Sequence, residues 1–452
     1  MIMYWNFSLL LHPKFISMEI FVEKFGGASV NSADAIRNVE HILSLEKKKR
    51  VVVISAMGKT TNKLENIVNK WFNEKIFFTQ QFDELKSYHF QIIDNLFENI
   101  KDKSADKSAL LENVNDIFEE LKQKIQIIPS SDYNFLYDSI VSFGERLSTV
   151  IISSYLNLVG VNNKLVYAYE MIKTDNNYRD ANIDWLQTQN AVNEKLIPLT
   201  EEYDLIITQG FVGGTKENLT TTLGREGSDY SAAILSHCLL AKSMSVWKDV
   251  PGLLNADPKR VEKTVKIVSM PYTEAVELSY YGASIIHPKT IKPLENAKIP
   301  LFIKSFLQPE EKGTVICDSG SVNPIVPNFI FKDNQILLSI MPKDLSFATE
   351  SRLSEIFSLL AKHKIKVNMM QNSAISFSVC FDENLNILPA LLNDLEKDFS
   401  VRYNEGLQLV TIRHYTLDSI NKAIRGRRIL IEQKSRITAQ YLLNKDVKTS
   451  NN

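Results

Sequence analysis

The stretch from Thr220 to Ala241, TTTLGREGSDYSAAILSHCLLA, brings a cation, an anion and two glycines close together as Gly224, Arg225, Gly227 and Asp229. An arginine can grip a carboxylate bidentately, and an aspartate can organise a cationic phosphate site. Ser228 stands where an N-cap belongs, before an alanine-rich apolar run, so a helix N-terminus is expected to close the loop. A second segment, KFGGASV (Lys24 to Val30), lies between the strand-like EIFVEKF and a helical stretch beginning near Asn31. Backbone N–H groups bared by Gly26 and Gly27, together with the positive end of a helix dipole, make such a turn an anion site. Its spacing is neither that of the P-loop nor that of the dinucleotide fingerprint. Taken singly, each segment is equally compatible with a plain turn: a loop-to-helix junction in one case, a glycine turn with a solvated lysine in the other.

The elements that must hold these residues alternate. EIFVEKF is followed by a helical stretch from Asn31 to Lys49, then VVVISA (Val51 to Ala56), a long helical region from about Asn62 to Leu158, and KLVYAYE near Lys164. DLIITQGF (Asp204 to Phe211), KSMSVWKDV and PLFIKSF (Pro300 to Phe306) complete the series. Such alternation predicts an α/β architecture, a mostly parallel sheet with helices on both faces and ligands outside the carboxyl ends of the strands. GTVICDSGSVNPIVP, Gly313 to Pro327, has the Gly, Pro and Ser content of a linker. Beyond it, QILLSIM, a helix from about Ser346 to His363, KIKVNMM, AISFSVCFD, a helix near Ala390 to Lys397, FSVRY, LQLVTIRHY, a short helix near Thr416 to Gly426 and RRILIEQ suggest two small α+β units, the second abbreviated.

With both motifs in view, the chain resembles the aspartate kinases of the amino-acid kinase family, from about Met18 to the C-terminus. The resemblance rests on KFGGASV, VVVISAMGKTTN, SFGERLST, TQGFVGG, TTTLGREGSDYSAA, WKDVPGLLNADP and YGASIIHPKT. The last four together separate aspartate kinases from carbamate, glutamate, acetylglutamate and uridylate kinases. It implies an amino-acid kinase fold over residues 18–312, a linker over 313–327, and ACT-like (ferredoxin-like) regulatory modules over 328–382 and 383–445, with a tail at 446–452. Residues 1–17 are expected to be an extension or a misassigned start. The length leaves no room after Asn452 for a fused homoserine dehydrogenase, so a monofunctional enzyme is expected.

The implied reaction is ATP-dependent phosphorylation of the β-carboxylate of L-aspartate, the first step toward lysine, threonine and methionine. Moving a γ-phosphoryl group onto a carboxylate crowds negative charge, so the site must mainly position and neutralise. The resemblance gives Lys24 and Asp229 the catalytic roles, Lys24 bridging phosphate oxygens and Asp229 organising the lysine. Arg225 takes the α-carboxylate of aspartate and Glu145 its ammonium; Ser55, Thr61 and Ser228 complete the substrate contacts. Read without the resemblance, Glu145 is a helix glutamate paired with Arg146. Thr174 to Tyr178, TDNNY, matches a family loop near the substrate and reads equally as a turn. ATP contacts fall to Lys24, Gly26, Gly27, Ser29, Lys248, Asp249, Leu254, Lys259 and Ser284, with Mg2+ held mainly by the nucleotide phosphates and no protein metal site.

Departures from the family pattern concentrate around the nucleotide. Leu254 replaces a frequent tyrosine, Lys259 an arginine and Ser284 a lysine, while Glu226 replaces a frequent glycine beside Arg225. His287 is expected to be structural or nucleotide-proximal, because transfer to an ionised carboxylate needs no general base. Two other readings stand beside the aspartate kinase: an inactive amino-acid sensor, and a kinase for another acidic amino acid.

Composition excludes little but is consistent. The 452 residues suffice for two or three domains. A formal net charge of -1, from 52 basic and 53 acidic side chains, gives no bias toward nucleic acid or membrane. KKKR (Lys47 to Arg50), KDKSADK near Lys101 and RGRR (Arg425 to Arg428) read as solvated helix ends or loops. Cys238, Cys317 and Cys380 form no ligand-spaced set and point to a reducing compartment, hence a cytoplasmic enzyme. The opening MIMYWNFSLLLHPKFIS lacks the basic start and apolar length of a signal peptide. The expected partners are aspartate, ATP and a second copy joined through the C-terminal modules, which also offer the place of an amino-acid effector. There Ser351 and Arg352 replace a common Gly-Phe and Asn368 an aspartate, so weak inhibition by lysine is expected.

Overall fold

The computed structural model describes residues 19–75, 79–98, 100, 103–128, 132–283, 286–318, 320–344, 347 and 349–444. The expectations for residues 1–17, for the tail at 446–452 and for Ser284 lie outside these. Two compact units are present: Met1–Leu253 with Val268–Val276 and Ile286–Asn323, and Leu254–Ile267 with Glu277–Ile285 and Pro324–Asn452.

Along the chain come β1 (Ile20–Phe25), α1 (Ala33–Ser44), β2 (Lys49–Ile54), α2 (Thr60–Glu74), α3 (Thr79–Phe97), α4 (Ser104–Ile127), α5 (Tyr133–Val141), α6 (Phe143–Leu158), β3 (Lys164–Leu165), α7 (Ala168–Met171), α8 (Trp185–Ala191) and α9 (Ile197–Glu202). There follow β4 (Leu205–Gln209), β5 (Val212–Gly214), β6 (Thr220–Thr222), α10 (Gly227–Cys238), β7 (Ser243–Lys248), β8 (Leu253–Leu254), β9 (Lys266–Ile267), β10 (Ser269–Pro271), α11 (Tyr272–Tyr281), α12 (Pro288–Ala297), β11 (Leu301–Ser305) and β12 (Thr314–Cys317). The first unit is built on an eight-stranded sheet of order β10-β12-β11-β7-β1-β2-β4-β3, parallel except where β11 meets β12. Its central strands β2 and β4 are largely apolar runs with both faces buried, as a parallel sheet covered by helices requires. One core joins Val52, Ile54, Leu205 and Ile207 to the apolar faces of α1 to α6.

Three sequence expectations change here. The long helical region from Asn62 to Leu158 is five helices, α2 to α6; Asp132 starts α5 by accepting from the N–H groups of Asn134 and Phe135. The helical stretch expected to reach Lys49 ends at Ser44, and Lys49 opens β2, next to Arg50, whose Nε donates to Glu23 of β1 at 3.0 Å. Thr314 to Cys317, read as linker, is β12, because its alternating residues pair antiparallel with β11.

The second unit carries β13 (Asn328–Pro342), α13 (Glu350–Lys362), β14 (Val367–Asn372), β15 (Phe377–Asp382), α14 (Leu388–Leu395), β16 (Phe399–Arg413), α15 (Leu417–Ile424), β17 (Ile429–Lys434) and β18 (Thr438–Leu443). These strands form one antiparallel sheet, β14-β15-β13-β16-β18-β17. β13 and β16 are each 15 residues long and pair nearly end to end. The cores divide differently from the sequence boundary at 382 and 383. Leu388, Leu391, Leu395 and Phe399 pack with Phe377, Val379 and Phe381 beneath α13 and α14. Val410, Ile412, Ala439 and Tyr441 pack with α15 and with Phe329 and Phe331 of β13. A further cluster joins Leu337, Met369 and Cys380 to Leu407, Leu409, Ile431 and Leu442, across that boundary.

Candidate active site

The ends of β1, β2, β4 and β7 lie side by side. Phe25 is in register with Ile54 on one side and Trp247 on the other, and Gly210, just past β4, donates its N–H to Ile54 O at 2.9 Å. Ligands in such sheets lie outside these carboxyl ends. Lys24 is one residue short of the end of β1. Alternation along the strand sends the neighbouring Glu23 to Arg50 and Trp247 Nε1, and Lys24 to α10, where its ammonium pairs with Asp229 at 2.6 Å. Both side chains are nearly buried, 11% and 5% exposed.

Past β1, Gly26 leads into a short 3-10 turn, Gly27–Val30, in which Ser29 is buried. The helix expected from near Asn31 begins at Ala33, with Ser32 Oγ accepting from Ala35 N. The turn's glycine content has a steric cause. A Cβ on Gly27 would sit 2.7 Å from Ala56 O and 2.9 Å from Gly58 O, so the turn after β1 packs directly on the turn after β2. Ser55 opens that second turn and donates its N–H to Phe25 O at 3.1 Å; Thr61 is half-buried in the first turn of α2.

Glu145, in the first turn of α6, is 2% exposed and reaches Ala56 N–H with Oε1 at 3.3 Å. Its Oε2 has no hydrogen-bond partner among the described residues. Burial raises its carboxyl to about 8 against the lowering pull of the Ala56 N–H and the Lys24 charge. The bland reading of Glu145 as partner of Arg146 fails, since Arg146 pairs with Glu120 at 2.7 Å.

The loop before α10 corrects the expected cap. Glu226, at φ +54°, is the N-cap and Gly227 the first helical residue; Ser228 lies inside the first turn. A serine side chain therefore has no cap to make, and instead packs on Gly210, where an added Cβ would approach Ser228 Cβ to 2.4 Å. The left-handed backbone at 226 explains the preference for glycine there. The glutamate in this chain uses its carboxylate instead: Oε2 accepts from His287 N–H at 2.8 Å, and His287 in turn caps α12 by accepting from Lys289 N–H. His287 is thus structural. Arg225 projects exposed from the loop, with no acidic partner among the described residues.

One residue escaped the sequence reading. Asp138 of α5 is fully buried and accepts four hydrogen bonds: both oxygens from Arg179 N–H (3.1 and 3.0 Å), Thr222 N–H at 2.8 Å and Thr222 Oγ1 at 2.7 Å. It ties the 174–182 loop to β6, the strand leading to Arg225. In the same loop Thr174 Oγ1 meets Thr221 Oγ1 of β6 at 2.7 Å. An aspartate inside the apolar helical run FLYDSIVSF was the available signal.

The residues expected to contact the nucleotide divide. Lys248 ends β7 beside β1 and Asp249 follows, exposed; Leu254 and Lys259 belong to the second unit. The structure thus brings Lys24, Gly26, Gly27, Ser29, Ser55, Glu145, Ser228 and Asp229 together around the carboxyl ends of the central strands, with Arg225, Thr61 and Lys248 on the same unit. An ammonium held by a buried aspartate beside a glycine turn, next to a buried half-partnered carboxylate, suits binding a polyanion and an ammonium together.

Comparison with known proteins agrees with this geometry. Residues 19–305 match the amino acid kinase family. The lysine-sensitive aspartokinase 3 of Escherichia coli strain K12 is 30% identical over 402 residues, 87% of each chain. The chloroplastic aspartokinase 1 of Arabidopsis thaliana is 33% identical over 371 residues, 80% of this chain and 63% of the relative. The solved structure of E. coli aspartokinase III in complex with lysine and aspartate superposes with a TM-score of 0.78 at 28% identity, covering 94% of this chain and 96% of that one. The complex of the same enzyme with aspartate and ADP gives 0.75, again at 28% identity and the same coverage. The sheet, the Lys24 and Asp229 pair at its carboxyl ends and these matches agree: the chain belongs to the amino acid kinase family.

Proposed function

We propose that the protein is an aspartate kinase, transferring the γ-phosphoryl group of ATP to the β-carboxylate of L-aspartate. The observation that carries this reading is the pairing of two unlike half-sites around the carboxyl ends of the central strands: Lys24 with Asp229 against the Gly26–Gly27 turn, and Glu145 with one carboxylate oxygen unpartnered. In this reading Lys24 bridges β- and γ-phosphate oxygens and neutralises charge in the transition state, while Asp229 fixes its ammonium. Glu145 takes the substrate ammonium and Arg225 the α-carboxylate. The β-carboxylate is then free to attack in line, and no base is required. Lys248 and Asp249 face the nucleotide, and Mg2+ travels with its phosphates. The complexes of the E. coli relative with aspartate and with ADP support the choice of substrates. Intact Lys24, Asp229 and Arg225 disfavour the inactive sensor.

The second unit is read as a pair of ACT-like modules through which two copies join. Its Asn368 is occupied within the chain: Oδ1 accepts from Lys332 Nζ at 2.8 Å, and Nδ2 donates to Gln335 Oε1 and Asp382 Oδ1 at 2.8 and 2.9 Å. Lacking a free anion there, the protein is expected to respond weakly to lysine. Arg352 is a smaller obstacle than its charge suggests, since Glu355 and Asp344 partly neutralise it.

The test is chemical. With ATP, aspartate and hydroxylamine, an acyl phosphate at the β-carboxylate is trapped as β-aspartyl hydroxamate, with matching ADP release. ADP release without hydroxamate, or turnover with glutamate in place of aspartate, would overturn the assignment.

A further inference from the structure

The second unit contains a cavity of about 650 Å³ whose lining includes none of the candidate site residues named above, although Lys259 lies in one of its wall segments. Its walls come from four separated parts of the chain: the 255–263 segment, the first half of β13 with Pro327 before it, Gln408 of β16, and α15 with its cap and the turn after it. Five cationic side chains line it, Arg260, Lys263, Lys422, Arg425 and Arg427, against one acidic one, Asp418. For a protein of net charge -1 this is a marked local excess.

The cations are of two kinds. Three are committed within the fold. Arg260 forks onto Asp333, Lys422 pairs with Asp418 at 2.7 Å, and the Arg427 guanidinium donates to Gln408 Oε1 at 2.7 Å and to the α15 carbonyls of Ala423 and Ile424 at 2.6 and 3.2 Å. Gln408 Nε2 returns to Asp333 Oδ1 at 2.5 Å, so a continuous polar chain runs from Arg260 to Arg427 along the cavity. Lys263 and Arg425 differ: both are exposed and have no acidic partner among the described residues. Arg425 is placed by backbone geometry, being the left-handed C-cap of α15 at φ +45°, followed by Gly426 at φ +73°. A solvated helix end accounts for one such arginine. It does not account for a second unpaired cation, brought from a segment about 160 residues away, on the same cavity.

One wall is aromatic. Phe329 and Phe331 project from the same face of β13 with parallel rings 6.5 Å apart. Arg260 already covers Phe331, at 5.4 Å, and Phe329 also lines the cavity. The volume lies within the usual range for small-ligand sites.

We propose that this cavity is a binding site for a phosphate-bearing anion up to nucleotide size, its charge met by Lys263 and Arg425. The shared chemistry is phosphate; the source is a nucleotide, stacking on Phe329, or a bare polyphosphate. Binding would tie the 255–263 segment to α15.

The test is calorimetric titration of the full-length protein with ADP and, separately, with inorganic tripolyphosphate. Two variants accompany the wild type: Lys263→Ala with Arg425→Ala, both exposed positions, and Lys24→Ala. The expected result is a second site per chain for at least one probe, weakened about tenfold or more by the Lys263 and Arg425 changes and untouched by Lys24→Ala. Tighter binding of ADP than tripolyphosphate at that site assigns a nucleotide, and the reverse a polyphosphate. A single site for both probes in the wild type, or a second site indifferent to loss of Lys263 and Arg425, would overturn the proposal. Neither result depends on whether aspartate is the substrate.

Discussion

Two polar sites, one in each unit, are treated in opposite ways. At the strand ends of the first unit, Glu145 leaves one buried carboxylate oxygen without a partner, although leaving such a group unmade costs about 1–3 kcal/mol. In the second, Lys332, Gln335, Asn368 and Asp382 close on one another, and Asn368 makes three hydrogen bonds. At Glu145 the unmet oxygen lies beside the Lys24 charge, where a substrate ammonium could supply the missing partner; the closed network around Asn368 has no such opening. Substitutions in the two units should therefore differ in kind.

The largest effects are expected at Lys24 and Asp229. Lys24→Ala and Asp229→Ala should each lower turnover by about 10³-fold or more, because the lost charge acts on the transition state. If the two work as a unit, the double variant falls little further than either single one. Circular dichroism separates this from unfolding, and a folded Lys24→Ala variant keeping more than about a tenth of turnover would break the assignment.

Next come the substrate clamps. Arg225→Lys keeps the charge and loses the planar fork, so the aspartate KM should rise about tenfold or more while the ATP KM moves little. Equal changes would place the loop on the nucleotide. Asp138→Asn should act in the same direction more weakly: an amide cannot accept all four hydrogen bonds, the 174–182 loop loosens, and the aspartate KM rises severalfold with kcat nearly kept. Unchanged kinetics with a lowered Tm would reduce Asp138 to a purely structural role.

In the second unit the expected signature is stability without kinetics. Asn368→Ala should cost about 1–2 kcal/mol in Tm-derived stability and leave both KM values alone. Wild-type activity at subsaturating aspartate should fall little with lysine, and strong inhibition at sub-millimolar lysine would contradict the reading of Asn368. The smallest effect is expected for Glu226→Gly. Relief of the left-handed backbone, about 0.5–1 kcal/mol, opposes loss of the acceptor for His287 N–H, so stability should change by less than about 1 kcal/mol.

What the sequence made legible follows from distance along the chain. Lys24 with Gly26 and Gly27, and Arg225 with Asp229, are local patterns at the ends of strands, readable because a parallel sheet gathers such ends. Asp138 was not, since its partners Arg179 and Thr222 are 41 and 84 residues away. The cap at Glu226 was misjudged because Ser228 has the better N-cap side chain, whereas Ser228 packs on Gly210 and the cap falls to Glu226 in the left-handed region. The shared packing of the second unit was hidden for a related reason. β13 and β16 each contribute to three clusters, and nothing in their local alternation marks where one ends.

The claim that Glu145 awaits the substrate ammonium is tested most directly by the pH dependence of the aspartate KM. With a carboxyl raised to about 8, the free site is mostly neutral below that pH and must ionise to hold the ammonium. The KM should therefore fall as pH rises from about 6.5 toward 8.5, and Glu145→Gln should raise the KM and flatten that slope. A wild-type KM that is flat over this range, or a slope that survives in Glu145→Gln, would contradict the account.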